Sequence, residues 1–408
     1  MKKLELNLHI GFDMNKITFC IPSKNNLRYL KNSIKSIKEN SAIEHHIIVY
    51  VDMDEDGTET WLIENGIQYL KNDLNKPQGI AHAYNKCIEM ATTEIVCMFH
   101  ADMYVARGFD ENILKFLKRG SIVAGTRIEP PLHPEGKEKI VKNFGLYPED
   151  FKKEEFDEFA RELITKNQNI TTKGIFAPWA CYKEDITKIG MHDETFHSYH
   201  EDSDIFNRFI LNGYDITQIW TAFVYHLTCR GGQFQDGIEQ VTKDVDFHNM
   251  KQSAARNYLR KWGSWIKNDE YQYPIIPHKY NVGLVVNNCN LELLRTLEPW
   301  CDKIYIEDGY GMITTNYIDE EQKNTKFDLS RRIRLIHSHD PICENDIVVE
   351  FDGTMLNQNN FIFIERLSEI LTENEISVGY YEMDIFKFHI SSVRHYENDL
   401  IKIVNNYA

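Results

Sequence analysis

Over residues 17–130, hydrophobic positions alternate between short continuous runs and runs with helical spacing. Ile17–Pro22 and His45–Asp52 are apolar runs with the length of buried strands. A helical pattern lies between them, and Asn25 stands where its side chain can cap the first turn. A second helical pattern covers Gly79–Ala91. This alternation predicts an α/β domain, with a Rossmann-like, mostly parallel sheet flanked by helices.

Polar residues follow three of the predicted strands. Ser23 follows the first strand, and Asp52 ends the second. Asp102 follows a further strand over Glu94–Phe99. In open α/β sheets, ligands bind beyond the carboxyl ends of the strands. The pattern therefore indicates a crevice of nucleotide size at that edge of the sheet.

The alternation of strands and helices resumes later in the chain. Residues 134–173 are charged, with one helix predicted near Glu149–Thr165. A helix over Glu201–Asn212, a strand over Ile216–Tyr225 and a long helix over Val245–Lys267 follow.

Pro274 and Pro277 mark a linker after that long helix. The chain has 408 residues, a length typical of two domains. We therefore predict a first domain over 1–268, a linker over 269–280 and a smaller α/β domain over 281–408.

The C-terminal domain resembles a degenerate copy of the first sheet. Val282–Leu294 repeats the pattern of Thr18–Leu30, and Asp346–Leu356 repeats that of Glu94–Tyr104. Thr354 stands where the copy would need an equivalent of Asp102. We predict a structural, oligomerisation or acceptor-holding role for this domain, with homo-oligomers formed through it.

Composition and charge exclude several classes of protein. Hydrophobic residues make up 42% of the chain and the formal net charge is -16, which opposes general nucleic-acid binding. The eight cysteines include no CxxC pair and several lie in apolar runs, which predicts reduced core thiols. The N-terminal residues lack a secretory signal pattern, and no apolar run reaches the ~20 residues that span a bilayer. These features predict a cytoplasmic protein with no transmembrane segment.

Four segments together resemble glycosyltransferase family 2: ITFCIPSKNN, IIVYVDMDEDGT, GIAHAYNKCIEMATTEIVCMFHADM and HEDSDIFNRFILNGY. The resemblance covers residues 17–230. It implies a GT-A fold, a nucleotide-diphosphate sugar donor with UDP favoured, and Mn²⁺ or Mg²⁺ as cofactor. It also implies inverting transfer of the sugar to a hydroxyl group of a glycan or other acceptor.

The family places its metal ligands at two positions of this chain. Asp102 is the last residue of the acidic DxD motif, whose first acid is replaced here by His100. His226 follows an apolar strand at the position of a metal-binding histidine in related enzymes. A neutral imidazole suits Mn²⁺ better than Mg²⁺.

The ED motif of the family corresponds to Glu201 and Asp202. The resemblance assigns the general base to Asp202, and Glu201 to acceptor contact or orientation of the site. Both lie at a predicted helix N-terminus, where the helix dipole favours carboxylates. Asp204 lies four residues before Arg208, which predicts a helical ion pair.

Further positions of the resemblance concern the donor and the acceptor. The nucleoside would be bound by Pro22, Ser23, Asn25 and Asp52. Asn85 would lie beside the donor, and Arg230 in the TCRGG segment would contact phosphate. Trp179 would stack on an acceptor sugar, or form part of the core.

Three other functions remain open on these residues. A retaining transferase would also use the metal histidine. A nucleotidyltransferase needs a glycine-rich loop after its first strand, and the segment IPSKNN has none. A non-catalytic nucleotide-sugar or glycan-binding protein is consistent with His100, but it would have no use for a general base.

Overall fold

The computed structural model of the protein describes residues 16–228, 245–336 and 343–402. These residues form two compact units. The first contains 16–191, 214–228 and 270–273, and the second contains 192–213, 245–269, 274–336 and 343–402. This division differs from the predicted boundaries near 268 and 281, because two segments from before the predicted linker group with the C-terminal residues.

The first unit is built on one mixed sheet. Its strands are β1 (Ile17–Lys24), β2 (His46–Met53), β3 (Gln68–Lys71), β4 (Ile95–Met98), β5 (Met103–Val105), β6 (Ser121–Glu129), β7 (Lys139–Val141), β8 (Thr171–Thr172), β9 (Trp179–Tyr182) and β10 (Asp215–His226). Its helices are α1 (Leu27–Asn40), α2 (Thr58–Glu64), α3 (Ile80–Met90), α4 (Phe109–Phe116), α5 (Lys153–Lys166) and α6 (Lys183–Lys188).

The strand order of this sheet is β3-β2-β1-β4-β9-β6-β10-β5, with β7 beside β6 and β8 beside β10. Neighbours from β3 to β4 are parallel, and so are β6 and β10. The strand β9 runs antiparallel to both β4 and β6. The predicted fold class, an α/β sheet that is mainly parallel and flanked by helices, is confirmed.

The two loops that follow β1 and β2 are joined by hydrogen bonds at the carboxyl edge of the sheet. The predicted capping of α1 by Asn25 is wrong, because its amide group exchanges two hydrogen bonds of 2.8 Å with Glu55. Asp56 caps α1 instead, accepting a hydrogen bond from the backbone N–H of Leu27 at 2.7 Å. The same carboxylate accepts from the hydroxyl of Thr58 at 2.6 Å, so it also starts α2.

The second unit contains a smaller sheet with helices. Its helices are α7 (Glu201–Leu211), α8 (Val245–Trp262), α9 (Leu291–Leu297), α10 (Met312–Glu321), α11 (Leu329–Arg332), α12 (Gln358–Glu365) and α13 (Leu367–Glu373). Its strands are β11 (Val282–Asn287), β12 (Lys303–Ile306), β13 (Ile333–Leu335), β14 (Ile347–Asp352), β15 (Gly379–Met383) and β16 (Phe386–Ile390). Their order is β13-β12-β11-β14-β16-β15.

The topology of this small sheet supports the predicted half-repeat. Its four parallel strands β13-β12-β11-β14 have the same order and sense as β3-β2-β1-β4 in the first unit. In both sheets the next strand, β16 or β9, runs antiparallel. The similarity therefore extends to the strand order, and Thr354 stands where the copy would need an equivalent of Asp102.

A buried ion cluster ties α8 to the C-terminal residues of the second unit. The side chains of Arg260 and Glu298 are both 0% exposed and lie 2.7 Å apart. Arg260 also donates to Glu321, and Arg332 donates to Glu298. A cut in the predicted linker would separate Arg260 from Glu298 and leave a buried charge without its partner.

Two further predictions concern cysteines and membranes. The cysteines in the described part of the chain are free thiols, and all but Cys343 are buried, which confirms the core interpretation for them. Cys229 lies outside the described residues. Among the described helices, none is both long enough and apolar enough to cross a bilayer.

Candidate functional site: a histidine and carboxylate cluster

The register of β10 places its last residue, His226, between two other strand ends. Antiparallel pairing with β5 sets His226 opposite Met103, and the backbone N–H of Leu227 bonds the carbonyl oxygen of Asp102 at 3.0 Å. Parallel pairing with β6 sets Tyr225 opposite Ile128, so the next residues of the two strands lie side by side. Strand pairing therefore gathers residues that are far apart in sequence.

His100, Asp102 and His226 form a cluster at this point. One potential ligand atom from each residue lies within 4.8 Å of the others. Nε2 of His226 is 3.4 Å from Oδ1 of Asp102, and the two imidazole rings are 5.6 Å apart at their centroids. The structure thus brings together the two predicted metal ligands and adds His100, which sequence reasoning had left without a role.

Glu129, the last residue of β6, fixes the orientation of His226. Its Oε1 atom lies 2.8 Å from Nδ1 of His226, and both side chains are buried. This hydrogen bond turns Nε2 towards Asp102, where that buried nitrogen has no hydrogen-bond partner among the described residues. A histidine that binds a metal through one nitrogen commonly donates from the other to a carboxylate in this way.

The two histidines differ in their affinity for protons. Burial lowers the pKa of His226, but Asp102 and Glu129 outweigh it and raise the pKa to about 9. Burial and the neighbouring His226 lower the pKa of His100 to about 4. In the metal-free protein near neutral pH, His226 therefore holds the proton that a metal ion would displace.

The donor set fits a divalent metal ion. Two imidazoles and one carboxylate suit Mn²⁺ and the later first-row metals better than Mg²⁺, which prefers oxygen ligands. Nε2 of His226 makes no hydrogen bond among the described residues and lies 3.4 Å from Oδ1 of Asp102, so a metal ion could take both atoms as ligands. His100, Asp102 and His226 would hold the ion, and Glu129 would orient His226.

A small cavity of about 210 Å³ opens beside His226. Basic side chains and Glu129 share its wall, and Glu129 lies 2.9 Å from Lys139 and 3.3 Å from Arg127. Burial alone raises the pKa of Glu129, but Arg127 and His226 hold it well below its usual range. Glu129 therefore stays ionised and keeps its hydrogen bond with His226.

The residues predicted to bind the nucleoside differ in their hydrogen bonds. Ser23 is buried, and its hydroxyl oxygen has no hydrogen-bond partner in the described part of the chain. Asp52 is 6% exposed and accepts hydrogen bonds from the backbone N–H groups of Gln78 at 2.7 Å and Gly79 at 3.0 Å. Asp52 thus anchors the turn before α3, and a contact with a base stays a prediction, as it does for Asn25.

The other predicted contacts lie at different depths in the first unit. Pro22 is half-buried in β1, whereas Asn85 in α3 is buried. Trp179 is 3% exposed in β9, which pairs with β4 and β6, so in this structure its ring is in the core. Stacking on an acceptor sugar stays a prediction. Arg230 lies outside the described residues.

The ED motif lies in the second unit, at the first turn of α7. The side chain of Glu201 has one buried oxygen with no hydrogen-bond partner among the described residues. Burial raises its pKa well above the usual value, and Asp202 adds to the shift. Asp204 pairs with Arg208 at 2.7 Å with both side chains buried, which confirms the predicted helical ion pair. The base role of Asp202 stays a prediction.

Sequence reasoning missed Glu129 because it identified no strand over Ser121–Glu129. The run SIVAGTRIE has the apolar content of a buried strand and ends in an acid, much as the strand His46–Met53 carries Asp52 near its end. The sequence therefore contains a signal for this strand. It does not indicate that Glu129 bonds His226, because the pairing of strands across the sheet is not encoded locally.

Comparison with known proteins agrees with the family resemblance. The model of glycosyl transferase family 2 matches residues 18–186. No curated protein matches the chain in sequence.

Distant structural similarities also occur. TarS 1-349 of S. aureus is 14% identical, with a TM-score of 0.39 over 60% of this chain and 74% of that chain. GalNAc-T7 with UDP, GalNAc and Mn²⁺ is 13% identical, with a TM-score of 0.41 over 63% and 49%. The mannosyltransferase PcManGT of Pyrobaculum calidifontis with GDP-Man and Mn²⁺ is 15% identical, with a TM-score of 0.39 over 59% and 62%. The family match over residues 18–186 is the stronger finding, and it makes this part of the chain similar to glycosyl transferase family 2.

Proposed function

We propose that the protein is a metal-dependent glycosyltransferase that moves a sugar from a nucleotide-diphosphate donor to a hydroxyl group of a glycan or other acceptor. The observation that carries this proposal is the cluster of His100, Asp102 and His226, of which His100 and Asp102 lie within the family match over residues 18–186. The orientation of His226 by Glu129 gives the cluster the construction of a metal site.

The donor chemistry explains why an acidic chain would need such a site. A diphosphate leaving group carries negative charge, and the formal net charge of the protein is -16. A bound divalent cation would neutralise the diphosphate and stabilise the charge that develops on its oxygens. The residues of the chain supply the ligands for that ion. UDP is the favoured nucleotide and Mn²⁺ the favoured ion.

Asp202 is the proposed general base, and its use would invert the sugar configuration. A base must be ionised and must reach the acceptor hydroxyl. The raised pKa of Glu201 favours its neutral form, which suits a hydrogen-bond donor better than a base. Asp202 lies in the first turn of α7, where the helix dipole favours a carboxylate. Glu201 would then orient the acceptor.

The test is sugar transfer and donor hydrolysis with a panel of UDP- and GDP-sugars and Mn²⁺, using the Asp202→Asn variant. Loss of a general base lowers the rate by about 10²–10⁴-fold. We expect that loss with unchanged binding of the nucleotide and metal. Glu184→Gln, a change of an exposed acid in α6, is the matched control. Full activity of Asp202→Asn would remove the base assignment, and wild-type protein that binds the donor but never releases UDP would favour a non-catalytic binding protein.

A further inference from the structure

A second group of potential metal ligands lies in the second unit, away from the family 2 region. It consists of His278, which precedes β11, and of His395 and Glu397, which follow β16. One potential ligand atom from each of the three lies within 4.8 Å of the others. None of them belongs to the site proposed for the donor.

The atoms already lie near the spacing of a coordination shell. Nδ1 of His278 is 2.9 Å from Oε1 of Glu397, and Nδ1 of His395 is 3.9 Å from the same oxygen. Around a tetrahedral Zn²⁺ with bonds of about 2.0–2.1 Å, neighbouring ligand atoms are about 3.3 Å apart. The two distances to Oε1 therefore differ from this spacing by about half an ångström, and side-chain rotation would bring the two histidine nitrogens to one ion.

The two rings are in contact, and metal binding would turn them out of their stacked arrangement so that both nitrogens point at one ion. The imidazoles of His278 and His395 stack with centroids 3.7 Å apart and planes 18° apart. Protonation of both rings would place two like charges in contact, whereas two neutral rings beside one carboxylate form a favourable set for a transition metal. Both histidines are near 40% exposed, at 39% and 42%, so an ion can reach them from solvent.

The backbone holds the ligands in place without a metal ion. Glu397 is only 10% exposed, and its second oxygen accepts a hydrogen bond from the backbone N–H of Lys279 at 3.1 Å. The N–H of Tyr396 donates to the carbonyl oxygen of Lys279 at 2.7 Å. The hydroxyl of Ser368 bonds the carbonyl oxygen of His278 at 2.6 Å. These bonds orient the carboxylate towards both rings, as the supporting shell of a metal site does.

We propose that His278, His395 and Glu397 bind a Zn²⁺-like divalent metal ion that joins the segment before β11 to the segment after β16. Two imidazoles, one carboxylate and an open fourth position form a ligand set that Zn²⁺ accepts. The ion stabilises the folded second unit, because it binds residues that are brought together only by folding. This site does not depend on the proposed transferase activity.

The experiment counts Zn²⁺ ions bound to the full chain by equilibrium dialysis. The variants are His395→Ala, Asp102→Ala and the control His389→Ala, which removes an exposed histidine of β16. We expect His395→Ala to lose one ion, with its Kd raised by more than the roughly 10–100-fold that loss of a supporting residue costs. Asp102→Ala should lose a different ion, and His389→Ala should lose none. Equal Zn²⁺ binding by the wild type and His395→Ala would overturn the proposal.

A measurement on the wild type covers the case in which His395→Ala fails to fold. Zn²⁺ should protect His278 and His395 from diethyl pyrocarbonate, as read by mass spectrometry, and leave the reaction of His389 unchanged. Equal modification of His278 and His395 with and without Zn²⁺ would contradict the site. This readout needs neither a nucleotide nor an acceptor, so its failure is separate from failure of the proposed activity.

Discussion

Glu129 holds His226 through a hydrogen bond of 2.8 Å between the ends of two parallel strands, β6 and β10. The bond occupies Nδ1 and leaves the buried Nε2 facing Asp102 at 3.4 Å. The orientation of the candidate metal ligand is therefore set by a residue that would not itself touch the ion. The metal affinity of the site should depend on that residue.

Glu129→Gln should weaken Mn²⁺ binding. The glutamine keeps the size of the side chain but removes the charge that favours the correct orientation of His226. Substitutions of such supporting residues raise the metal Kd by about 10–100-fold. The Kd is measured by calorimetric titration. Glu138→Gln is the matched control, since Glu138 is also buried and pairs with Arg127 at 3.6 Å. Equal weakening by both variants would assign the effect to the cavity charge as a whole.

His100→Asp should change which metal the site prefers. The substitution restores the first acid of the DxD motif and replaces a nitrogen ligand by oxygen. Oxygen ligands favour Mg²⁺, and imidazole favours Mn²⁺ and the later metals. The ratio of the Mg²⁺ and Mn²⁺ dissociation constants, measured on the wild type and the variant, should therefore move towards Mg²⁺. An unchanged ratio would show that His100 is not a ligand.

Glu298→Gln should destabilise the second unit at neutral pH. It leaves Arg260 and Arg332 without their buried carboxylate, and breaking such a pair costs about 3–5 kcal/mol. Urea unfolding measures the free-energy difference. Glu320→Gln, which breaks the exposed pair with Arg295, should cost about 1 kcal/mol or less.

The same pair predicts how stability depends on pH. Burial alone raises the pKa of Glu298, but Arg332 and Arg260 hold it well below its usual range. A carboxyl with a lowered folded pKa stabilises the protein above its unfolded pKa of about 4.3, and that contribution is lost as the pH falls further. The gap in unfolding free energy between the wild type and Glu298→Gln should therefore narrow below about pH 4. A constant gap from pH 7 to pH 3 would contradict this assignment.

The sequence predicts those parts of the fold that depend on local pattern. The strands β1, β2 and β4 and the helix α3 begin and end within two residues of the predicted bounds. Asp102 and His226 were predicted as ligands because the family resemblance covers both positions. Their proximity, however, arises from the antiparallel pairing of β5 with β10, which no local pattern encodes.

The positions that sequence reasoning assigned wrongly or missed depend on contacts between distant segments. Asn25 is of a residue type that often caps helices, but Asp56, in the loop after β2, caps α1 instead. The sequence also carries no sign that the carboxylate of Asp52 accepts hydrogen bonds from the turn before α3, and its contact with a base stays a prediction. In both places two loops meet at the sheet edge, and the identity of the partner decides the role of the side chain.

The most direct test of the proposed function is the melting temperature of the wild type with each nucleoside diphosphate, with and without Mn²⁺. A ligand that binds only the folded state raises the melting temperature, and a concentration of 100 times Kd contributes about 2.7 kcal/mol. We predict that UDP stabilises the protein only with Mn²⁺, that Asp102→Ala abolishes the shift, and that Asp215→Ala, at the far end of β10, retains it. No shift with any nucleotide, or an equal shift in Asp102→Ala, would contradict a metal-dependent donor site at His100, Asp102 and His226.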